Sequence, residues 1–143
     1  MKALFDKIEE LLKTVEGFNW IDIDLGQMSI EKPPVAFPCA LYSADADRSV
    51  DISEIEELCH VSIEVKIITD PMGLSTNSKA PKYIKDKAKL HLELADKVWN
   101  TLKGYSDENI SGIARTSQRT TILETGYVQL SQTYTSTYSQ TKE

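Results

Sequence analysis

Apolar residues recur in the first stretch of the chain as Leu4, Ile8, Leu11, Leu12 and Val15, the spacing of one helical face, which predicts a helix over residues 2–15. That stripe has to be buried against another layer. Past Gly17 the period changes to two: Ile21, Ile23 and Leu25 alternate with Asp22 and Asp24, which predicts a half-buried strand over 18–25. Prolines 33, 34 and 38 crowd the next apolar run, so residues 35–42 are expected at a sheet edge or a bulge, where a missing backbone donor is tolerated. Residues 43–53 are polar and read as a connection. Residues 57–69 carry the strongest strand pattern in the chain, with Cys59, Val61, Ile63, Val65 and Ile67 on one face and His60, Ser62, Glu64, Lys66 and Ile68 on the other.

Asp70, Pro71, Met72 and Gly73 break that strand, and a long polar loop follows to Pro81. A second helix is predicted over 81–102, with Ile84, Ala88, His91, Ala95, Val98 and Leu102 down one face, Leu94 and Trp99 widening it, and Gly104 as its stop. At about 1.5 Å per residue it spans roughly 30 Å, enough to cross a sheet. The remainder is rich in Thr, Ser, Gln and Tyr and reads as two strands, 110–123 and 127–137, joined through Glu124, Thr125 and Gly126. These elements predict one α+β domain over 1–143: a mainly antiparallel sheet, two helices on one face burying Leu4, Ile8, Leu11, Ile84, Val98 and Leu102, a projecting C-terminal β-hairpin, and a frayed end over 136–143.

Composition narrows the function classes. A chain of 143 residues is long enough to bury roughly two-thirds of its unfolded surface without metals or disulfides. The net charge of −6 argues against nonspecific nucleic-acid binding, which needs a clustered excess of Lys and Arg. Lys79, Lys82, Lys85, Lys87 and Lys89 are interrupted by other residues at a helix start and read as a solvated face. The pattern predicts neither a signal peptide nor a membrane span. Cys39 and Cys59 fall among alternating apolar residues and are expected as buried free thiols on inward strand faces, with a disulfide conceivable if their strands pair in register.

Candidate chemistry is sparse. Asp45, Asp47, Ser49, Asp51, Ser53 and Glu56 match the ligand spacing of a calcium-binding loop, with Ile52 at its apolar position. Val50 stands where that loop turns on glycine, and Arg48 puts a cation inside it, so the favoured reading is a solvated acidic hairpin loop. His60 and Cys59 point to opposite faces of one strand and are poorly placed to share a metal. His91 lies in an apolar stripe and reads as a satisfied, partly buried histidine. Asp22 and Asp24 share a strand face, as a glycosidase carboxylate pair would, but lack an aromatic platform. Trp20 and Trp99 carry no interleaved basic pattern and read as core or interface. Catalytic, cofactor-binding and metal-ligating residues are therefore expected to be absent.

With this order of elements, the chain resembles the small tail-terminator, or tail-completion, proteins of long-tailed bacteriophages and prophages. The residues that carry the resemblance are the opening helix 4–15, the Pro33-Pro34-Val35-Ala36-Phe37-Pro38-Cys39-Ala40-Leu41 segment leading into a hairpin, the strand 60–69, the long helix 80–102 and the closing β pair. It spans essentially the whole chain and rests on order, length and texture. The resemblance implies a non-enzymatic α+β structural protein, without cofactor, that forms a ring, a hexamer in the assembled tail, stops tail-tube growth and joins tail to head. Its implied partners are itself, tail-tube and head-tail connector proteins, with no nucleic-acid sequence recognition and no membrane. Its implied location is the bacterial cytoplasm during assembly and the head-proximal end of the virion tail. A ring subunit needs loops and strand edges that become covered on assembly. The 71–80 loop and the 110–138 hairpin have that character, with Met72, Leu74, Arg115, Arg119, Tyr127 and Tyr134 as expected contacts. The alternatives are a head-tail connector or neck protein of a virion, and a small ligand- or calcium-binding sensor module built on residues 45–56.

Overall fold

A computed structural model describes residues 1–141. Helix α1 (Lys2–Lys13) is followed by β1 (Trp20–Ile23), a short 3-10 turn (Gln27–Ser29), β2 (Cys39–Asp51), β3 (Glu56–Thr69), α2 (Lys82–Ala88), α3 (Leu90–Leu102), β4 (Ala114–Ile122) and β5 (Val128–Thr141). The five strands form one mixed sheet in the order β1-β2-β3-β5-β4. β1 runs parallel to β2, and the β2–β3, β3–β5 and β5–β4 pairs are antiparallel. The α+β class, the mainly antiparallel sheet and the C-terminal hairpin, β4–β5, follow the expectation from sequence.

The two helical stripes meet the same face of the sheet. Leu4, Ile8, Leu12 and Val15 of the first helical segment and Leu94, Ala95, Val98 and Leu102 of α3 join Val61, Ile63, Val65 and Ile67 of β3 and Leu130 and Tyr134 of β5 in one apolar cluster. Leu11 and Ile84, expected in the core, are half-buried, because Leu12 rather than Leu11 points straight at the sheet and α2 lies toward its end. In the turn after α1, Gly17 has a positive φ of 116°, a backbone region that favours glycine, and a Cβ there would lie 2.9 Å from the tip of the Leu94 side chain.

Several boundaries differ from the sequence reading. The expected single helix 81–102 is divided at Lys89, whose φ of −98° and ψ of 9° leave the helical region. The strand expected over 18–25 is paired over four residues, and Leu25 is 80% exposed. The three prolines all precede β2, so none costs a ladder bond, and Cys39–Tyr42 of β2 lie between β1 and β3 instead of at the sheet edge. The supposed connection 43–53 is strand through Asp51, in register with β3 down to the Asp51–Glu57 pair. β5 likewise stays paired with β3 to Thr141, with Ser136 and Tyr138 buried, so the expected fraying from 136 is corrected as far as Thr141; positions 142 and 143 lie outside the described residues. The far ends of β2 and β3, residues 47–56, are exposed and form a hairpin arm, while the end of β5 stays against the start of α1, where the Met1 amino group donates to Gln140 Oε1 at 2.9 Å.

The opposite sheet face is covered only at one end. There Cys39, Leu41 and Ile68 form a small second cluster under Met28, Val35, Phe37 and Tyr127. The two cysteines are both buried free thiols, but they lie on opposite faces: Cys39 is in this second cluster and Cys59 in the main one. Their strands pair with Cys39 opposite Ile68 and Cys59 opposite Ser49, a register that excludes the conceivable disulfide. Burial pushes the Cys39 thiol up to about 12, so it stays protonated at neutral pH.

Candidate assembly surfaces

The acidic segment that matched a calcium loop is mostly extended backbone. Residues 45–51 belong to β2, where successive side chains leave opposite faces and cannot wrap one ion. The actual turn is short: Ile52 N–H and Ser53 N–H donate to Glu56 O at 3.1 and 3.2 Å, and Ser53 Oγ accepts from Ile55 and Glu56 N–H. Asp47 accepts the Ser62 hydroxyl, and Arg48 meets the His60 ring nitrogen at 3.0 Å. Among the described residues, no three His, Cys, Asp or Glu side chains are grouped to hold a metal ion.

Asp22 and Asp24 have structural partners. Lys66 Nζ donates to Asp24 Oδ2 at 2.7 Å, and the Asp24 carboxylate also accepts Gly26 N–H at 3.1 Å. Burial alone would raise the Asp24 pKa, but the hydrogen bonds from Lys66 and Gly26 and the lysine charge outweigh it and hold the carboxyl below its ordinary range. Asp22 accepts from Gln27 Nε2 at 3.3 Å. This pair pins the chain where it leaves β1 and climbs onto the open face. His91 is half-buried, as expected, but it is not the satisfied histidine expected: its Nδ1 has no hydrogen-bond partner among the described residues, and burial lowers its pKa.

The six expected interface residues do not share one patch. Met72 is 85% exposed and lines a shallow recess with Thr125, Gly126 and Tyr127, where the long loop meets the β4–β5 turn. Leu74 borders an open cleft of about 520 Å³ whose charged lining residues are Asp70 and Lys87. Tyr127 is half-buried, with its ring stacked on Phe37 at 4.5 Å between centroids. Arg119 is exposed on the open sheet face, whereas Arg115 turns to the helical side and lies 4.5 Å over the Trp99 ring, which also receives Lys103 at 4.4 Å. Tyr134 is fully buried and therefore corrected from surface to core. Its hydroxyl donates to Gln132 Oε1 at 2.6 Å, while Gln132 Nε2 donates to Ala95 O at 2.9 Å and Gln118 Oε1 at 2.8 Å.

Sequence reasoning missed the apolar tip of the arm, where Val50, Ile52 and Ile55 are 45%, 54% and 63% exposed. Their spacing between acids was the available signal. No helix among the described residues is long and apolar enough to cross a membrane. No protein-family model matches the chain, and no curated protein matches its sequence. Among solved structures, the chain is similar to one from the virion of a native gene transfer agent particle, at 12% identity, with 93% of this chain and 84% of that chain covered and a TM-score of 0.47. A likeness of that degree assigns no role to this chain.

Proposed function

We propose that this chain is a non-enzymatic structural subunit of a phage or prophage virion, which assembles as a ring, ends tail-tube growth and joins tail to head. The observation that carries the reading is the distribution of unused surface. The sheet has a largely polar face away from α1 and α3, and a β2–β3 hairpin end with exposed apolar side chains at its tip. Asp24, Lys66, Asp47 and Arg48, by contrast, are engaged in local structure, and among the described residues the charged groups lining the two clefts are Asp70 and Lys87. A protein built this way acts by presenting surfaces. The element order noted from the sequence supplies the specific role. Met72 and Tyr127, side by side at one end of the sheet, and Arg119 on its open face are the contacts of this reading, with Leu74 and Arg115 supporting them from the cleft and the helical side.

The test is binding to purified tail tubes, read by electron microscopy and light scattering. Wild-type protein is expected to cap one end of each tube, and Met72→Asp to fold normally, by circular dichroism, yet cap poorly. Normal capping by M72D would remove the loop from the interface. Wild-type protein that ignores tubes but binds head connectors would move the role to the connector, and failure to bind either would sink the virion reading.

A further inference from the structure

The sheet ends in two open backbone edges, and they match each other. β1 covers β2 only over Cys39–Tyr42. Of the 13 residues of β2 this leaves nine, 43–51, without a strand on their outer side; β4, the opposite edge, is also nine residues long. Neither edge contains proline or lysine, the residues that commonly blunt exposed edges, and each carries one bulge, at Ala46/Arg48 and at Arg115/Ser117. With β2–β3, β3–β5 and β5–β4 all antiparallel, β4 runs opposite to β2. A second copy in the same orientation therefore presents its β2 edge antiparallel to β4 of the first.

We propose that β4 of one copy adds to the β2 arm of the next, continuing the sheet head to tail, with Arg119 facing Asp45 across the junction. Side-chain faces, the backbone direction that strand chirality ties to them, and charge agree on that register. Side-chain faces come first. Asp45 lies opposite Ser62 and Arg119 opposite Ser131, both on the face away from the helices, so the two side chains are on the same side of a continued sheet. Backbone direction is the second. Tyr42 O points outward to accept Asp24 N–H at 2.8 Å, so the backbone groups of Ala44, two residues on, also point outward. Leu123 N–H points inward to Tyr127 O at 2.9 Å, so those of Thr120, three residues back, point outward. Setting Arg119 opposite Asp45 places Thr120 opposite Ala44, outward groups facing outward groups, as a hydrogen-bonded pair requires. Charge is the third. The free part of β2 carries Asp45, Asp47 and Asp51 against Arg48, while β4 carries Arg115 and Arg119 and no acid. Asp45 and Arg119 are exposed and join no ion pair among the described residues. Main-chain bonds supply the attraction, and the Arg–Asp pair selects the register.

The contact rests on the assembly reading above for its partner, a second copy, and is tested without tubes. Sedimentation of the purified chain up to millimolar concentration at low salt is expected to show association that weakens as salt is added. Asp45→Lys and Arg119→Glu are each expected to weaken it roughly tenfold, and the double exchange D45K/R119E to restore it. Thr120→Pro removes one outward donor from an edge strand and is expected to abolish it while circular dichroism stays unchanged. A wild-type chain that remains monomeric, a double exchange no better than its parents, or T120P associating normally would overturn the contact. If wild-type protein still caps tail tubes in any of those cases, the assembly reading stands and only the edge pairing falls.

Discussion

The two faces of this sheet are made by the same strands and have opposite energetics. On the helical side, Val61, Ile63, Val65 and Ile67 of β3 are almost completely removed from water. On the other side, Ser62, Glu64 and Lys66 of the same strand stay polar, and apolar burial is confined to the small cluster around Cys39, Leu41 and Ile68. At about 25 cal/mol per Å² of apolar surface, the first face holds the fold together. The second contributes less to folding, through that small cluster and the Lys66–Asp24 pair.

The largest expected effect breaks the helical side. Val98→Asp would bring an unpaired carboxylate into the centre of the α3 contact, at a cost of about 3–5 kcal/mol in chemical denaturation. A V98D protein of near wild-type stability would mean that α3 is not essential cover. Next comes the polar member of that same face. Gln132→Ala would leave the Tyr134 hydroxyl unpartnered and strip Ala95 O of its side-chain bond, for a loss of about 1–3 kcal/mol. A neutral result would show that water takes the place of the amide. The smallest effect belongs to the open face. The Asp24 carboxyl is held below its ordinary value of 3.8, so its contribution is fully present above that pH and is lost as pH falls through the lower, folded-state value. Asp24→Asn should therefore lower the melting temperature slightly at neutral pH, with the difference closing in strong acid. A difference that persists there would assign the effect to the Gly26 turn instead of to the Lys66 pair.

This contrast also explains what could be read from the sequence. α1, β3 and α3 announce themselves because each has one dry and one wet face, which imposes a period on its residues. The arm does not. Residues 47–56 are exposed on both faces, so their side chains follow no inward alternation and look like a loop. β5 was obscured differently: its inward positions include Gln132 and Ser136, which satisfy their polar groups within the protein, so Tyr134 seemed to belong to a polar surface strand. The break at Lys89 left no trace, since lysine is an ordinary helix former and the apolar stripe continues across it. The candidate surfaces were visible as segments, the 71–80 loop and the closing hairpin, but their relation was not. Whether two strand edges match depends on which residues β1 covers, and that is decided by a parallel pairing between segments whose residues lie 19 apart, as Trp20 and Cys39 do.

The bond from Gln132 to the carbonyl of Ala95 has a mechanical consequence. Apolar contacts between a helix and a sheet change little if the helix slides by one turn, about 5.4 Å, because one aliphatic side chain replaces another. A shift of less than a turn, however, takes the buried Gln132 amide away from the Ala95 carbonyl before the next carbonyl comes within reach, so the bond favours discrete settings of α3 along the sheet over a continuous slide.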